Sequence, residues 1–191
     1  IEYNFNTLGG FKELEGIHAR GDWDLSQHQL NSGTKLEYFD EETKERYIPN
    51  IMETSVGLNR LVMMVLEEAY TEEELINAKG EKDIRVVLKI KKDLAPIKVA
   101  IMPLSKKPDL QAKSLEVQAL LNADYMTQYD ETASIGKRYR RQDEIGTPYC
   151  VTVDFDTLND NAVTVRDRDT MQQERIQISE LKAYIDSKFA K

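Results

Sequence analysis

The chain has 191 residues, of which 40% are hydrophobic and 31% are charged, and its formal net charge is −8. This length accommodates one or two domains with a real core, and no apolar stretch approaches the ~20 residues of a membrane span. The single cysteine, Cys150, excludes an intrachain disulfide and a cysteine-based zinc cluster. Together these features predict a soluble cytoplasmic protein without membrane contact.

The first half of the chain predicts short strands and one long amphipathic helix. A capping-box pattern at residues 24–27 starts a short helix that ends near Gly33. Strand character covers residues 11–17, 36–38, 47–52 and 85–90. After Gly57, apolar residues at helical spacing predict a buried stripe of Leu58, Leu61, Val62, Val65, Leu66 and Ala69. The polar residues 71–83 predict a surface excursion.

The second half alternates strands and helices, after a domain boundary predicted at Leu94. Strands are predicted at residues 97–102, 125–129, 149–154, 162–166 and 175–178. Helices are predicted at residues 110–121 and 134–145, and a last helix begins at Ser179. This order predicts a mixed five-stranded sheet with helices packed on its faces.

Residues 53–60 join a predicted strand to the amphipathic helix and read Glu-Thr-Ser-Val-Gly-Leu-Asn-Arg. Glu53 could hold an amine, Ser55 could bind the same ligand, and Arg60 offers a planar fork for a phosphate or a purine face. Alternatively, Glu53 and Ser55 cap the helix and Arg60 is a solvated first-turn residue. The residue types alone leave both interpretations open.

The pattern Glu-x-Ser-x-Gly-(aliphatic)-x-Arg in residues 53–60 resembles motif 3 of class II aminoacyl-tRNA synthetases. Residues 13–17, Glu-Leu-Glu-Gly-Ile, and residues 19–25 are similar to a strand and turn typical of glycyl-tRNA synthetase. Three further segments resemble that family's anticodon-binding domain: residues 94–100, 134–148 and 164–171. The resemblance covers nearly the whole chain.

The resemblance implies a fold of mixed class, α/β and α+β. Residues 1–94 would be the end of the class II antiparallel-sheet catalytic domain, and residues 95–191 an α/β anticodon-binding domain. It implies an aminoacyl-tRNA ligase that uses ATP and Mg²⁺ to activate glycine and then transfers the glycine to tRNA(Gly). The intact enzyme of such a family is a homodimer.

The resemblance also assigns residues to each substrate. The glycine-binding residues would be Glu53, Thr54, Ser55, Val56 and Gly57. The ATP-binding residues would be Glu13, Leu14, Gly57, Leu58, Asn59 and Arg60. Glu13 and Arg60 are the expected catalytic residues, and Glu13 is a candidate Mg²⁺ ligand beside ATP because Mg²⁺ prefers oxygen ligands.

A basic cluster in the second half predicts RNA contact. Residues 1–94 hold 12 Lys and Arg against 19 Asp and Glu, a net of −7, whereas residues 95–191 hold 14 against 15, a net of −1. The candidate tRNA-binding residues are Lys137, Arg138, Arg140 and Arg141, interleaved with Tyr139. The alternative is that these cations pair with nearby carboxylates, as the alternating signs around Arg166 and Arg168 also indicate.

The chain departs from the family pattern in one respect. It starts at Ile1, and motifs 1 and 2 are not found in its 191 residues. We therefore expect a piece of a longer enzyme that does not form adenylate alone and is not favoured to dimerise. The alternative function is a non-catalytic nucleic-acid-binding protein on a degenerate synthetase frame, such as a DNA polymerase accessory subunit. A threonyl-, histidyl- or prolyl-specific relative is a second, less favoured enzyme.

Overall fold

A computed structural model describes residues 1–76 and 80–190. These residues form two compact units, residues 1–67 and the chain from residue 68 onward. Among the described residues, no helix has both the length and the apolar character needed to cross a bilayer.

The first unit is built from three antiparallel strand pairs and two helices. In chain order its elements are β1 (Glu2–Phe5), β2 (Gly10–Glu13), β3 (Glu15–Gly21), α1 (Trp23–Ser32), β4 (Tyr38–Phe39), β5 (Arg46–Tyr47), β6 (Ile51–Val56) and α2 (Leu58–Ala69). The pairs are β1 with β2, β3 with β6, and β4 with β5. The strand predicted at residues 11–17 is interrupted at Leu14, because the chain changes its pairing partner from β1 to β6 there.

The α2 helix begins at Leu58 as predicted, but its apolar stripe is largely exposed. Leu58 is 70% exposed, Val62 51% and Leu66 43%, and only Ala69 is buried. Phe5 is the only fully buried hydrophobic side chain among residues 1–67. The prediction of a buried stripe was therefore wrong for this chain, since the first unit supplies too little apolar surface to cover it.

The second unit opens with an antiparallel hairpin, β7 (Tyr70–Ile76) and β8 (Lys82–Leu88). This replaces the surface excursion predicted for residues 71–83, of which residues 77–79 lie outside the described part. Burial alternates along β7, with Glu73 on the less exposed face because it pairs with Arg85 and Lys89. A glutamate in an inward position hid the strand periodicity from the sequence.

The rest of the second unit is a mixed five-stranded sheet with helices. In chain order it contains β9 (Val99–Pro103), α3 (Pro108–Asn122), β10 (Thr127–Tyr129), α4 (Ile135–Ile145), β11 (Tyr149–Val153), α5 (Thr157–Asp160), β12 (Ala162–Asp167), β13 (Gln173–Gln177) and α6 (Ile178–Phe189). The strand order is β10-β9-β11-β12-β13. β9 is parallel to β10 and β11, whereas β12 is antiparallel to β11 and β13. The predicted mixed sheet is confirmed, and only the short α5 was missed.

The core lies on both faces of this sheet. One face packs against α3 and α6 through Val99, Ile101, Val151, Val153, Val163, Val165, Leu110, Val117, Leu121, Leu181 and Ile185. The other face places Ala100, Met102 and Cys150 against Ile135 and Tyr139 of α4. Because β9 and β11 are buried throughout, they read as continuous apolar runs. Burial also raises the pKa of the Cys150 thiol to about 12.

The compact units divide between Glu67 and Glu68, not at Leu94. The β7–β8 hairpin belongs to the second unit because Arg85 of β8 binds Asp143 of α4 at 2.8 Å. The assignment of residues 1–94 to a catalytic domain remains a prediction.

Candidate functional site

A cleft of about 500 Å³ lies in the first unit, where the end of β2 meets the start of α2. The cleft is lined by Glu13, Leu14, Gly57, Leu58, Asn59 and Arg60. These are the six residues that the family resemblance assigns to ATP. The structure therefore brings together two segments that are more than forty positions apart in the chain.

Two hydrogen bonds to main-chain carbonyls hold the walls of this cleft. The Gly57 amide donates to the Leu14 carbonyl at 3.3 Å, and Nη1 of Arg60 donates to the Glu13 carbonyl. An arginine carries five N–H donors, so most of the Arg60 guanidinium stays available to an anionic ligand. The lining thus includes a cationic residue, Arg60, and an acidic residue, Glu13.

The residues assigned to glycine lie along β6 and divide between its two faces. Glu53 is opposite His18 and Ser55 is opposite Gly16 in β3, so all four lie on one face. Thr54 and Val56 occupy the other face by the same alternation, and the structure does not bring them together with Glu53 and Ser55. Val56 is 52% exposed and Gly57 is exposed. Gly57 also lines the cleft beside Arg60, and Val56 is open to solvent next to it.

His18 is a neighbour of this face that the sequence did not assign. A Cβ added at Gly16 would lie 2.3 Å from Nε2 of His18, so the imidazole occupies the space that the glycine leaves. The histidine thereby lies beside the Gly16–Ser55 pair of the register. A glycine followed two residues later by a histidine on the same strand face is the signal that could have indicated this.

Arg20 is the cation nearest to Glu53. Its Nε lies 3.6 Å from Oε2 of Glu53 and 2.8 Å from Oδ2 of Asp24, and its Nη2 donates to Oδ1 of Asp24 at 3.0 Å. Arg20 occupies a β-bulge between Ala19 and Gly21, a distortion that redirects a side chain. Its hydrogen bond lowers the pKa of Asp24.

The basic cluster of α4 is mostly bonded within the protein. Arg138 is 2% exposed and donates to the carbonyls of Pro103, Leu104 and Asp130. Burial lowers its pKa. A side chain in this position ties together the loops after β9 and β10 and does not reach the surface, which argues against the RNA contact assigned to Arg138.

The other members of the cluster differ in whether their side chains are bonded within the protein. Arg140 binds Asp83 and the Ile84 carbonyl, and Arg141 binds Asp130 at 2.6 Å. Lys137 is exposed and has no ion pair within the described part of the chain. The internal pairing that the sequence left open is therefore present for both arginines, and Lys137 is the cation left for a partner.

Comparisons with known proteins match both halves of the chain. The model of the anticodon binding domain family matches residues 98–188. Over all 191 residues the chain is 51% identical to a glycine–tRNA ligase of Thermobifida fusca, covering 100% of the chain and 41% of that protein. The chain matches the anticodon-binding portion of glycyl-tRNA synthetases.

Two further relatives give the same result. Glycine–tRNA ligases of Corynebacterium efficiens and Clostridium beijerinckii are each 54% identical, over 186 and 187 residues. The matches cover 97% and 98% of the chain but only 40% and 39% of the relatives. The chain thus spans about two fifths of the length of these ligases.

Within the anticodon-binding domain, Arg166 and Arg168 are also internal. Arg166 binds both oxygens of Asp143 at 2.8 and 3.1 Å, with its guanidinium 4.9 Å from the Tyr139 ring centroid. Arg168 donates to the Gly146 carbonyl and to Asp169, each at 2.8 Å. The internal ion pairs predicted from the alternating charges are confirmed.

Proposed function

We propose that this chain is part of a glycine–tRNA ligase. The intact enzyme would activate glycine with ATP and Mg²⁺ and transfer it to tRNA(Gly). The observation that carries this proposal is the cleft between Glu13 and Arg60, next in the chain to the Glu53 and Ser55 positions of β6. The identity of about one half to glycine–tRNA ligases along the whole chain supports it.

The charge of each cleft residue decides which part of the ATP–Mg²⁺ complex it would bind. Arg60 would bind phosphate oxygens through its free N–H donors, and Gly57 lets the main chain approach the nucleotide. Mg²⁺ would neutralise phosphate charge, and it is commonly held by one or two carboxylates together with substrate phosphates. Glu13 supplies one carboxylate at this cleft, which fits that pattern.

Glycine recognition needs an anion for the ammonium group and the exclusion of larger side chains. Glu53 would bind the ammonium and Ser55 would donate or accept a hydrogen bond on the same face. Since glycine has no side chain to hold, selectivity must come from a confined volume. The exposed Val56 and Leu58 would be covered in the intact enzyme by the remainder of the catalytic domain.

The second domain would bind the anticodon part of tRNA(Gly), with Lys137 as the available cation of the α4 cluster. Arg140 and Arg141 would have to exchange their present carboxylates for phosphates. We further propose that the intact enzyme is a cytoplasmic homodimer. The accessory-subunit alternative is less favoured, because a degenerate site has no need of Glu53, Ser55 and Arg60 together.

Aminoacylation by the intact enzyme tests this proposal. Purified enzyme containing this chain should charge tRNA(Gly) with glycine and should discriminate strongly against alanine, the amino acid larger by one methyl group. The charging assay should depend on ATP and Mg²⁺. Absence of glycine transfer, with tRNA binding retained, would favour the non-catalytic alternative.

A further inference from the structure

The face of β3 and β6 that carries Glu53 and Ser55 also carries an imidazole ring. In the register, His18 is opposite Glu53 and Gly16 is opposite Ser55. Directly opposed residues of an antiparallel pair have Cβ atoms about 4.5–5.5 Å apart on the same face. The His18 side chain therefore lies within reach of a ligand that Glu53 holds.

The His18 ring is folded back along β3 and lies over Gly16. A Cβ at Gly16 would be 2.3 Å from Nε2 of the ring and 3.1 Å from both Cδ2 and Cε1. Within β3, whose seven residues are all described, only Gly16 is buried, although it has no side chain of its own. The ring thus fills the space in front of the Gly16–Ser55 pair, which is the space that a ligand bound by Ser55 must approach.

The fold does not use this ring as a polar contact. Among residues 1–76 and 80–190, the two ring nitrogens of His18 have neither a hydrogen bond nor an ion pair. The ion pairs next to the ring are those that Arg20 makes with Glu53 and Asp24. Because His18 is exposed, removing its imidazole should leave the fold intact.

Selection of glycine requires a filled volume beside the bound ammonium group. Alanine has the same ammonium and carboxylate groups as glycine and differs by one methyl group on the carbon that carries the ammonium. Glu53 and Ser55 would bind either amino acid, so only occupied space at that carbon distinguishes the two. Of the two residues paired with Glu53 and Ser55, Gly16 has no side chain, and His18 therefore supplies the occupied space.

We propose that the imidazole of His18 is a wall that excludes amino acids with a side chain from the glycine site. The inference rests on the proposed function, in which Glu53 binds the ammonium group of glycine. A β-carbon on the substrate would overlap the ring or force it away from Gly16, and inserting atoms into filled space is unfavourable. The hydrogens on the α-carbon of glycine need no such displacement. His18 is thus a specificity-determining residue that acts through its bulk.

ATP–pyrophosphate exchange by the intact enzyme, with alanine or glycine as the amino acid, tests the wall. Replacing His18 with Ala should raise kcat/KM for alanine relative to glycine roughly 10-fold to 200-fold, the range in which enzymes discriminate one methylene group. Alanine should also become a stronger competitive inhibitor of glycine-dependent exchange, which measures alanine binding without requiring its reaction. Structural damage would lower the rates with both amino acids and would not produce a gain for alanine.

Two further variants test the bulk and the position of the ring. His18→Gln has a side chain that reaches as far as Nε2 of the imidazole, so its alanine-to-glycine ratio should stay close to that of the wild type. His28→Ala removes the other histidine of the chain, which is exposed on α1, and should not alter the ratio. An unchanged ratio in His18→Ala, or an equal rise in His18→Gln or His28→Ala, would overturn the wall while the proposed function stands. A wild-type enzyme without glycine-dependent exchange would overturn the proposed function and the wall with it.

Discussion

Arg85 and Asp143 bind each other through Nε and Oδ2 at 2.8 Å, and each side chain is only 3% exposed. The pair joins β8 to α4, and Arg166 of β12 binds the same carboxylate. Arg85 also donates to the Arg168 carbonyl at 2.6 Å. One aspartate therefore connects three elements of the second unit, including a hairpin that precedes the residues matched by the anticodon binding domain family.

Asp143→Asn should destabilise the chain strongly. The substitution leaves the buried Arg166 without its anion and leaves the buried Arg85 with Glu73 alone, and breaking a buried ion pair typically costs about 3–5 kcal/mol. Urea denaturation followed by circular dichroism measures the loss. Asp83→Asn is the matched control, because its partner Arg140 is 45% exposed and such pairs contribute about 1 kcal/mol or less. Equal effects of the two variants would contradict the structural role assigned to Asp143.

The stability of the second unit should depend on pH through Asp154. Burial alone would raise the pKa of Asp154, but hydrogen bonds from Arg175 and Thr157 outweigh it and hold the pKa below 3.8. A carboxyl whose folded-state pKa is depressed stabilises the fold above its unfolded pKa, and this stabilisation is lost as pH falls through the folded value. When the denaturation midpoint is measured at a series of pH values from 7 downward, it should decrease once the pH is below about 4. The Asp154→Asn variant should already be less stable at pH 7 and should lose less stability on acidification. If the variant lost as much stability at low pH as the wild type, Asp154 would not be the source of the pH dependence.

In the intact enzyme, Glu53→Gln should raise the KM for glycine far more than the KM for ATP. The amide keeps the shape of the side chain but removes the negative partner of the ammonium group, an interaction worth several kcal/mol when it is desolvated. Glycine-dependent ATP–pyrophosphate exchange with each substrate varied in turn measures both constants. If the glycine kinetics were unchanged, Glu53 would not bind glycine, and its only role would be the ion pair with Arg20.

The isolated chain should not catalyse glycine-dependent ATP–pyrophosphate exchange. The family resemblance places the arginine that binds the α-phosphate in motif 2, which is not found in these 191 residues. Without that charge the transition state lacks electrostatic support. If the purified chain catalysed exchange above the level of a Glu53→Gln preparation, Arg60 and its neighbours would be sufficient for adenylate formation.

Replacing Lys137, Arg140 and Arg141 with Ala in the intact enzyme should weaken tRNA binding and flatten its salt dependence, while adenylate formation stays nearly intact. Lys137→Ala alone should account for most of the change in slope, since both arginines are bonded to Asp130 or Asp83. The tRNA affinity over a salt series and the exchange rate are measured in parallel. A normal slope in the triple variant would restrict this cluster to a structural role.

Sequence patterns predicted the second unit better than the first. The apolar runs of β9 and β11 and the glycine that ends α4, Gly146 at φ 83°, follow from local rules that the fold obeys. The sequence could also place Glu13 and Arg60 together, but only through the family resemblance. Nothing in the spacing of residues 137–141 distinguishes Arg138, whose guanidinium bonds to distant carbonyls, from its exposed neighbour Lys137. Burial of a cation depends on which loops pack over it, and that is a property of the tertiary structure.

The two exposed glutamates of β7 should also oppose self-association of the chain. Among the described residues, β7 pairs only with β8, so its outer edge presents free amide and carbonyl groups. Glu72 and Glu74 are exposed on that strand, where Glu74 pairs with Lys82, and a charged edge strand is expected to oppose the addition of a second molecule's strand. Neutralising them should promote aggregation through edge-to-edge pairing without loosening the fold.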